Sequence, residues 1–191
     1  MWLVSLESLP VPATKAVARA LQARLGLAAV PDNDPGSCSP AIAPLALLLR
    51  RLRAIARIKQ DVLLPGSWVL ATPADPALRA LHHDLGTALA RKLLPADAHP
   101  VTHLLLCLSS SADEAFEASL DAEHARDVTL QALRQSQRAI EDAARLRAAV
   151  SSPFEARIVM VPCPVFAADN PVELKRVVEL ACDTCHALMH P

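Results

Sequence analysis

Five short apolar runs, each separated from the next by a stretch with helical spacing, constrain this chain more than any other feature of its sequence. The runs are Trp2–Leu6, Leu27–Val30, Ser67–Ala71, His103–Leu108 and Ala156–Val161, each short enough for a buried strand. Between the first two, Val17, Ala20, Leu21 and Leu25 recur at helical spacing, and Gly26 stands where a helix C-cap would. Leu45–Leu64 is apolar on one side, with Arg50, Arg51, Arg53, Arg57 and Lys59 interspersed, and reads as a helix that stops at the Pro65-Gly66 turn. Asp75 is a suitable N-cap for a helix over Pro76–Leu94, with proline at the first helical position. Ala112–Val150 contains neither Pro nor Gly and reads as helical, with a break near His124–Asp127. Asn170-Pro171 opens a last helix that runs to about Met189. Strands alternating with helices imply parallel β-α-β units, so the expected fold is α/β, with three α/β/α layers and a five-stranded, mainly parallel sheet. At 191 residues the chain is expected to form a single domain over 1–191.

Composition narrows the function classes. Hydrophobic residues make up 52% and charged residues 20%, which suits a folded soluble domain and not a disordered tail. A net charge of −1 provides no general attraction for nucleic acid. With aromatics at 3% there is also no stacking platform, so the Arg50–Lys59 cluster reads as a solvated or partner-facing helix surface. No apolar stretch reaches the roughly 18 residues of a membrane span. Met1–Glu7 lacks the basic stretch of a secretory signal, so an intracellular location, cytoplasmic or mitochondrial, is expected. Five cysteines, an odd number, point to free thiols and not to a disulfide framework.

Some small constellations invite chemistry. Cys182-Asp183-Thr184-Cys185-His186 fits the C-x-x-C-H spacing of haem attachment, with Met189 and His190 close by. The same Cys and His residues would need tetrahedral convergence to hold zinc. However, Leu174, Val178, Cys182 and Cys185 share one helix face, and His186 points elsewhere. A core-facing pair of thiols is therefore expected, with no metal and no cofactor. His82-His83 has no nucleophile or paired carboxylate at a telling spacing and reads as a surface pair. Ser109-Ser110-Ser111 reads as an N-cap region before the helix at Ala112.

In parallel sheets ligands bind at the carboxyl ends of the strands, so the first strand–helix turn is informative. It reads Glu7-Ser8-Leu9-Pro10-Val11-Pro12-Ala13-Thr14-Lys15-Ala16. It resembles the first turn of thymidylate and deoxynucleoside kinases, where strand-Glu-Gly-Leu precedes a glycine-rich GxGK[ST] loop. Asn33-Asp34-Pro35-Gly36 is similar to the Arg-Glu-Pro-Gly segment of bacterial-type thymidylate kinases. Leu47–Leu70, ending Leu63-Leu64-Pro65-Gly66-Ser67-Trp68-Val69-Leu70, resembles that family's long helix and the strand after it. Pro100–Phe116 resembles its fourth strand and the helix leading to the lid, which places a lid-like helical segment at about 112–127. The matches are collinear over most of the chain. The resemblance implies a P-loop kinase-like fold, dimerisation or partner binding through helices at about 41–62 and 76–94, and a nucleotide-binding arginine near Arg51.

The departures from that pattern shape the functional expectation. A phosphate loop needs glycines so that successive backbone N–H groups turn inward, together with Lys and Ser/Thr for charge and Mg²⁺. The chain has only four glycines, none before Gly26, and places Ser8, Val11, Pro12 and Ala13 in the turn. Pro12 removes a donor and fixes φ, while Val11 and Ala13 add Cβ atoms. Lys15 stands as a displaced remnant of the phosphate lysine, with Ala16 where a Mg²⁺-binding hydroxyl is required. Thr72-Pro73-Ala74 replaces the family's Asp-Arg-Tyr, and Asp113–Ser119 is acidic where its lid carries arginines. Phosphoryl transfer needs metal and positive charge at those points. The expectation is a pseudoenzyme serving as a structural or accessory subunit. The alternative is nucleotide binding, or residual nucleoside monophosphate kinase activity, with Arg51 and Arg57 holding a phosphate.

Overall fold

The structure is a computed structural model and describes residues 1–9, 12–30, 43–64, 85, 88–89, 92–93, 102–120, 129–145 and 156–190. In chain order the elements are β1 (Trp2–Glu7), α1 (Pro12–Leu25), β2 (Ala28–Ala29), α2 (Ala43–Arg57), β3 (Val62–Leu64), β4 (Thr102–Ser109), α3 (Ala112–Leu120), α4 (Leu130–Arg145), β5 (Ala156–Pro162), a 3-10 turn (Val165–Ala168) and α5 (Pro171–Met189). The five strands form one sheet in the order β2-β3-β1-β4-β5, and every pairing is parallel. The α/β class and five-stranded sheet expected from the alternation are therefore present.

The central strands are fully buried, which is why they read as continuous apolar runs and not as alternating ones. Along β1 the two sheet faces differ. Val4 and Leu6 join a core with Leu63 of β3, Ala13, Val17 and Leu21 of α1, and Val178, Ala181 and Cys185 of α5. Leu3 joins a second core with Val62 and Leu64, covered by Ile55, Leu48 and Ala54 of α2. Helices thus lie on both sides of the sheet. α3 and α4 pack on each other, and α4 rests against β4 and β5.

One strand departs from the sequence reading. The stretch Leu45–Leu64 is not a single helix: α2 ends at Arg57, and Val62-Leu63-Leu64 is the third strand, paired with β1 and β2. The polar segment Lys59-Gln60-Asp61 separates the two. Asp61 anchors the break, since its Oδ1 accepts from Trp2 N at 2.6 Å and its carbonyl accepts from Ala28 N at 3.0 Å. These bonds reward an extended exit into the sheet over another helical turn. The Ser67–Ala71 run expected as this strand lies outside the described residues, as does most of the helix expected at 76–94.

Helix ends follow local chemistry. Gly26 ends α1 at φ +64°, and a Cβ built there would meet nothing within 4 Å. Backbone conformation therefore selects glycine at this position, and space does not. Asn170 caps α5, its side-chain oxygen accepting from Val172 N at 3.1 Å and Glu173 N at 3.3 Å ahead of Pro171. After Ala112 the described residues form two helices, α3 and α4, and the break expected near His124–Asp127 lies outside the described residues.

Candidate functional site: the turn between β1 and α1

In a parallel sheet with this strand order, the carboxyl end of β1 and the N-terminus of α1 face the cleft where a ligand would sit. Helix N-termini of this kind hold phosphate through unpaired backbone N–H groups. Here the described ends of the turn, on either side of Pro10 and Val11, are tied to each other by side chains. Ser8 Oγ and Thr14 Oγ1 lie 2.6 Å apart and stand 2.9 Å and 3.2 Å from the Leu9 carbonyl, so one hydroxyl donates to the other, which donates on to that carbonyl. Leu9 is 1% exposed and belongs to the core that holds Leu108, Ala112 and Ile140. The adjoining cavity, lined by Leu9, Leu108, Ser110, Gln137, Ile140 and Met160, measures about 10 Å³. That is about the space of one water, whereas ligand pockets run to roughly 300 Å³ or more.

The sequence-selected residues fall as follows. Ser8 and Ala13 are buried, Pro12 is the first residue of α1, and Lys15 is exposed on that helix. Val11 lies outside the described residues. Arg51 leaves α2 on the side of Leu48 and Ile55 and is only 4% exposed, and it engages other groups of the chain. Arg57 is exposed at the end of the same helix. Six residues of α-helix turn through about 240°, so the two arginines leave α2 on different faces.

Neighbouring strand ends are tied down as well. Glu7, 0% exposed, ends β1 in register with Cys107 of β4. Burial pushes the Cys107 thiol up to about 12, helped by the charge of Glu7. Ser110 Oγ donates to the Cys163 carbonyl at 2.7 Å, and Cys163 N donates to Ser109 O at 2.9 Å, joining the exits of β4 and β5. The following 3-10 turn packs on α1 and α5. Helix α3 is also held: Gln137 Oε1 accepts from Ala112 N at 2.9 Å, and Arg134 pairs with Asp113 at 2.7 Å. Ser111 caps α3, with Glu114 N 3.4 Å from its hydroxyl.

Lower in the sheet, His103 Nε2 and Ser5 Oγ are 2.7 Å apart, and both residues are fully buried. Burial lowers the His103 pKa to about 4, so the ring is neutral at neutral pH. Sequence reading passed over Leu9, Thr14 and this pair. For the pair, polar Ser5 and His103 inside otherwise apolar runs were the available signal. Cys182 and Cys185 of α5 face the core as expected, while His186 and His190 are exposed. Burial raises the Cys182 pKa and pushes the Cys185 thiol up to about 12.

No known family profile matches this sequence, and no curated protein is similar to it. Solved structures are similar in fold. Deoxyadenosine kinase from M. mycoides, with the products dCMP and a flexible dCDP bound, superposes with a TM-score of 0.60 at 11% identity, over 98% of this chain and all (100%) of that one. The same enzyme with dATP gives a TM-score of 0.59 at 10% identity over 97% and 100% of the two chains. With dCTP the values are 0.57 and 10%, over 98% and 100%. The chain therefore has a P-loop nucleoside kinase-like fold. Among the described residues no helix is long and apolar enough to cross a membrane.

Proposed function

We propose that this chain is a catalytically inactive, thymidylate kinase-like protein that keeps the kinase fold as a structural or accessory subunit of a larger protein assembly. The observation that carries this reading is the β1–α1 turn, where Leu9 occupies the interior and the hydroxyls of Ser8 and Thr14 are spent on each other and on the Leu9 carbonyl. A phosphate cradle needs inward-turned amides and a lysine beside them. This turn has proline at the first helical position and Lys15 directed to solvent. Half-buried Leu45, Leu47 and Leu49 on α2 belong to the surface we assign to a protein partner or a second copy, and the segment at about 112–127 takes the lid's place in the chain order.

The test uses the whole chain. Thermal unfolding with MgATP, with thymidine monophosphate and with both is expected to match the ligand-free curve, and a coupled assay is expected to detect no ADP. Stabilisation by MgATP, or turnover of a nucleoside or nucleoside monophosphate, would overturn the reading. It would favour the alternative of a nucleotide-binding protein.

A further inference from the structure

Helix α2 carries no carboxylate. From Ala43 to Gln60 the charged residues are Arg50, Arg51, Arg53, Arg57 and Lys59, and the first acid after them, Asp61, is already bonded to Trp2 N. Arg51 turns toward the second core and is 4% exposed, whereas Arg50, Arg53 and Arg57 are exposed. At about 100° per residue these three leave the helix within about 60° of one another, on the side away from Ile55 and the sheet. Half-buried Leu45, Leu49 and Ala56 form the adjoining stripe, about 40° wide. Like charges three and four residues apart repel, so α2 keeps this row against its own helical stability. Among the described residues no ion pair engages Arg53 or Arg57.

Resting on the reading of this chain as an accessory subunit, we propose that the outward face of α2 docks an acidic amphipathic helix of a different protein. Leucines of that helix pack on Leu45 and Leu49, and its carboxylates pair with Arg53 and Arg57. Recognition between helices uses apolar anchors at i and i+4, the spacing of Leu45 and Leu49. A second copy of this chain does not suit the face, because two-fold pairing brings a patch against itself. Arginine would then meet arginine, and like charges set together cost affinity. A phosphate backbone would satisfy the arginines but leave the leucine stripe in water.

The probe is a labelled peptide as long as α2, 15 residues, with Leu at helical spacing and Glu beside it, titrated into the full chain by fluorescence anisotropy. Saturable one-to-one binding is expected, weakening as salt rises. Arg53→Glu/Arg57→Glu should weaken it at least about tenfold. A peptide with Lys in place of Glu should recover binding to that variant, which also shows that the variant is folded. Arg19→Glu/Arg138→Glu, at two exposed arginines elsewhere, should leave binding unchanged. Equal binding of a scrambled peptide or by R53E/R57E, tighter binding of single-stranded RNA, or a stable dimer that R53E/R57E dissolves overturns the proposal. MgATP in the same titration separates the two readings. Nucleotide binding overturns the accessory-subunit reading, whereas absence of both peptide and nucleotide binding overturns this proposal alone.

Discussion

Ser8 and Thr14 meet hydroxyl to hydroxyl at 2.6 Å across the turn between β1 and α1, one donating to the other, which donates on to the Leu9 carbonyl. Ser8→Ala and Thr14→Val are each expected to cost about 1 kcal/mol of stability. Because the two groups share one bond, the double variant should lose less than the two single losses combined. Urea unfolding of the four proteins checks this, and strict additivity would show that the hydroxyls act separately.

Leu9 is expected to be among the costliest single residues to truncate. It is 1% exposed in a core shared with Leu108 and Ile140, so Leu9→Ala should cost about 2–5 kcal/mol through lost burial and the cavity left behind. The space gained should not confer ATP binding, because the amide that Pro12 lacks is still missing. Chemical unfolding and MgATP titration of this variant provide the two readouts.

His103 makes stability depend on pH. Its pKa falls from the ordinary 6.5 to about 4 because burial disfavours the charged ring. Between those values the unfolded chain takes up a proton that the native chain refuses. Stability is then full above about pH 6.5, declines as pH falls toward about 4, and levels off below, for a total loss on the order of 3 kcal/mol. Urea unfolding at a series of pH values should reveal this slope, and His103→Gln, which keeps a polar partner for Ser5, should remove most of it.

The described thiols should be protected in the native protein. Burial pushes Cys107 and Cys185 up to about 12 and Cys163 to about 11, leaving little thiolate at neutral pH. Labelling with an aromatic disulfide reagent at pH 8 is expected to reach these three only on unfolding, as peptide mapping after a timed pulse would reveal. Rapid native labelling of Cys107 would contradict its place between Glu7 and the sheet interior.

Much of this fold was legible because its signals are local. Asn170-Pro171 announced the start of α5, and Gly26 marked the end of α1 at a backbone angle that glycine tolerates best. The boundary between α2 and β3 was not legible in the same way. Leu52, Ile55 and Ile58 continue at helical spacing almost into Val62-Leu63-Leu64, and a fully buried strand has no alternation to set it apart. Only pairing with β1 and the two bonds to Asp61 resolve it. At the candidate site, the missing glycines and added prolines were visible residue by residue. That Leu9 points inward and Thr14 reaches back to Ser8 depends on how α1 docks on the sheet, and neighbouring residues in the chain do not encode that.

The contact between the two ends of this turn also has a mechanical consequence. With Leu9 buried in the core and the two hydroxyls bonded across the corner, the end of β1 and the first turn of α1 are tied to each other. A load applied to α1 by a neighbouring molecule would pass through that tie into β1, which lies in the middle of the sheet.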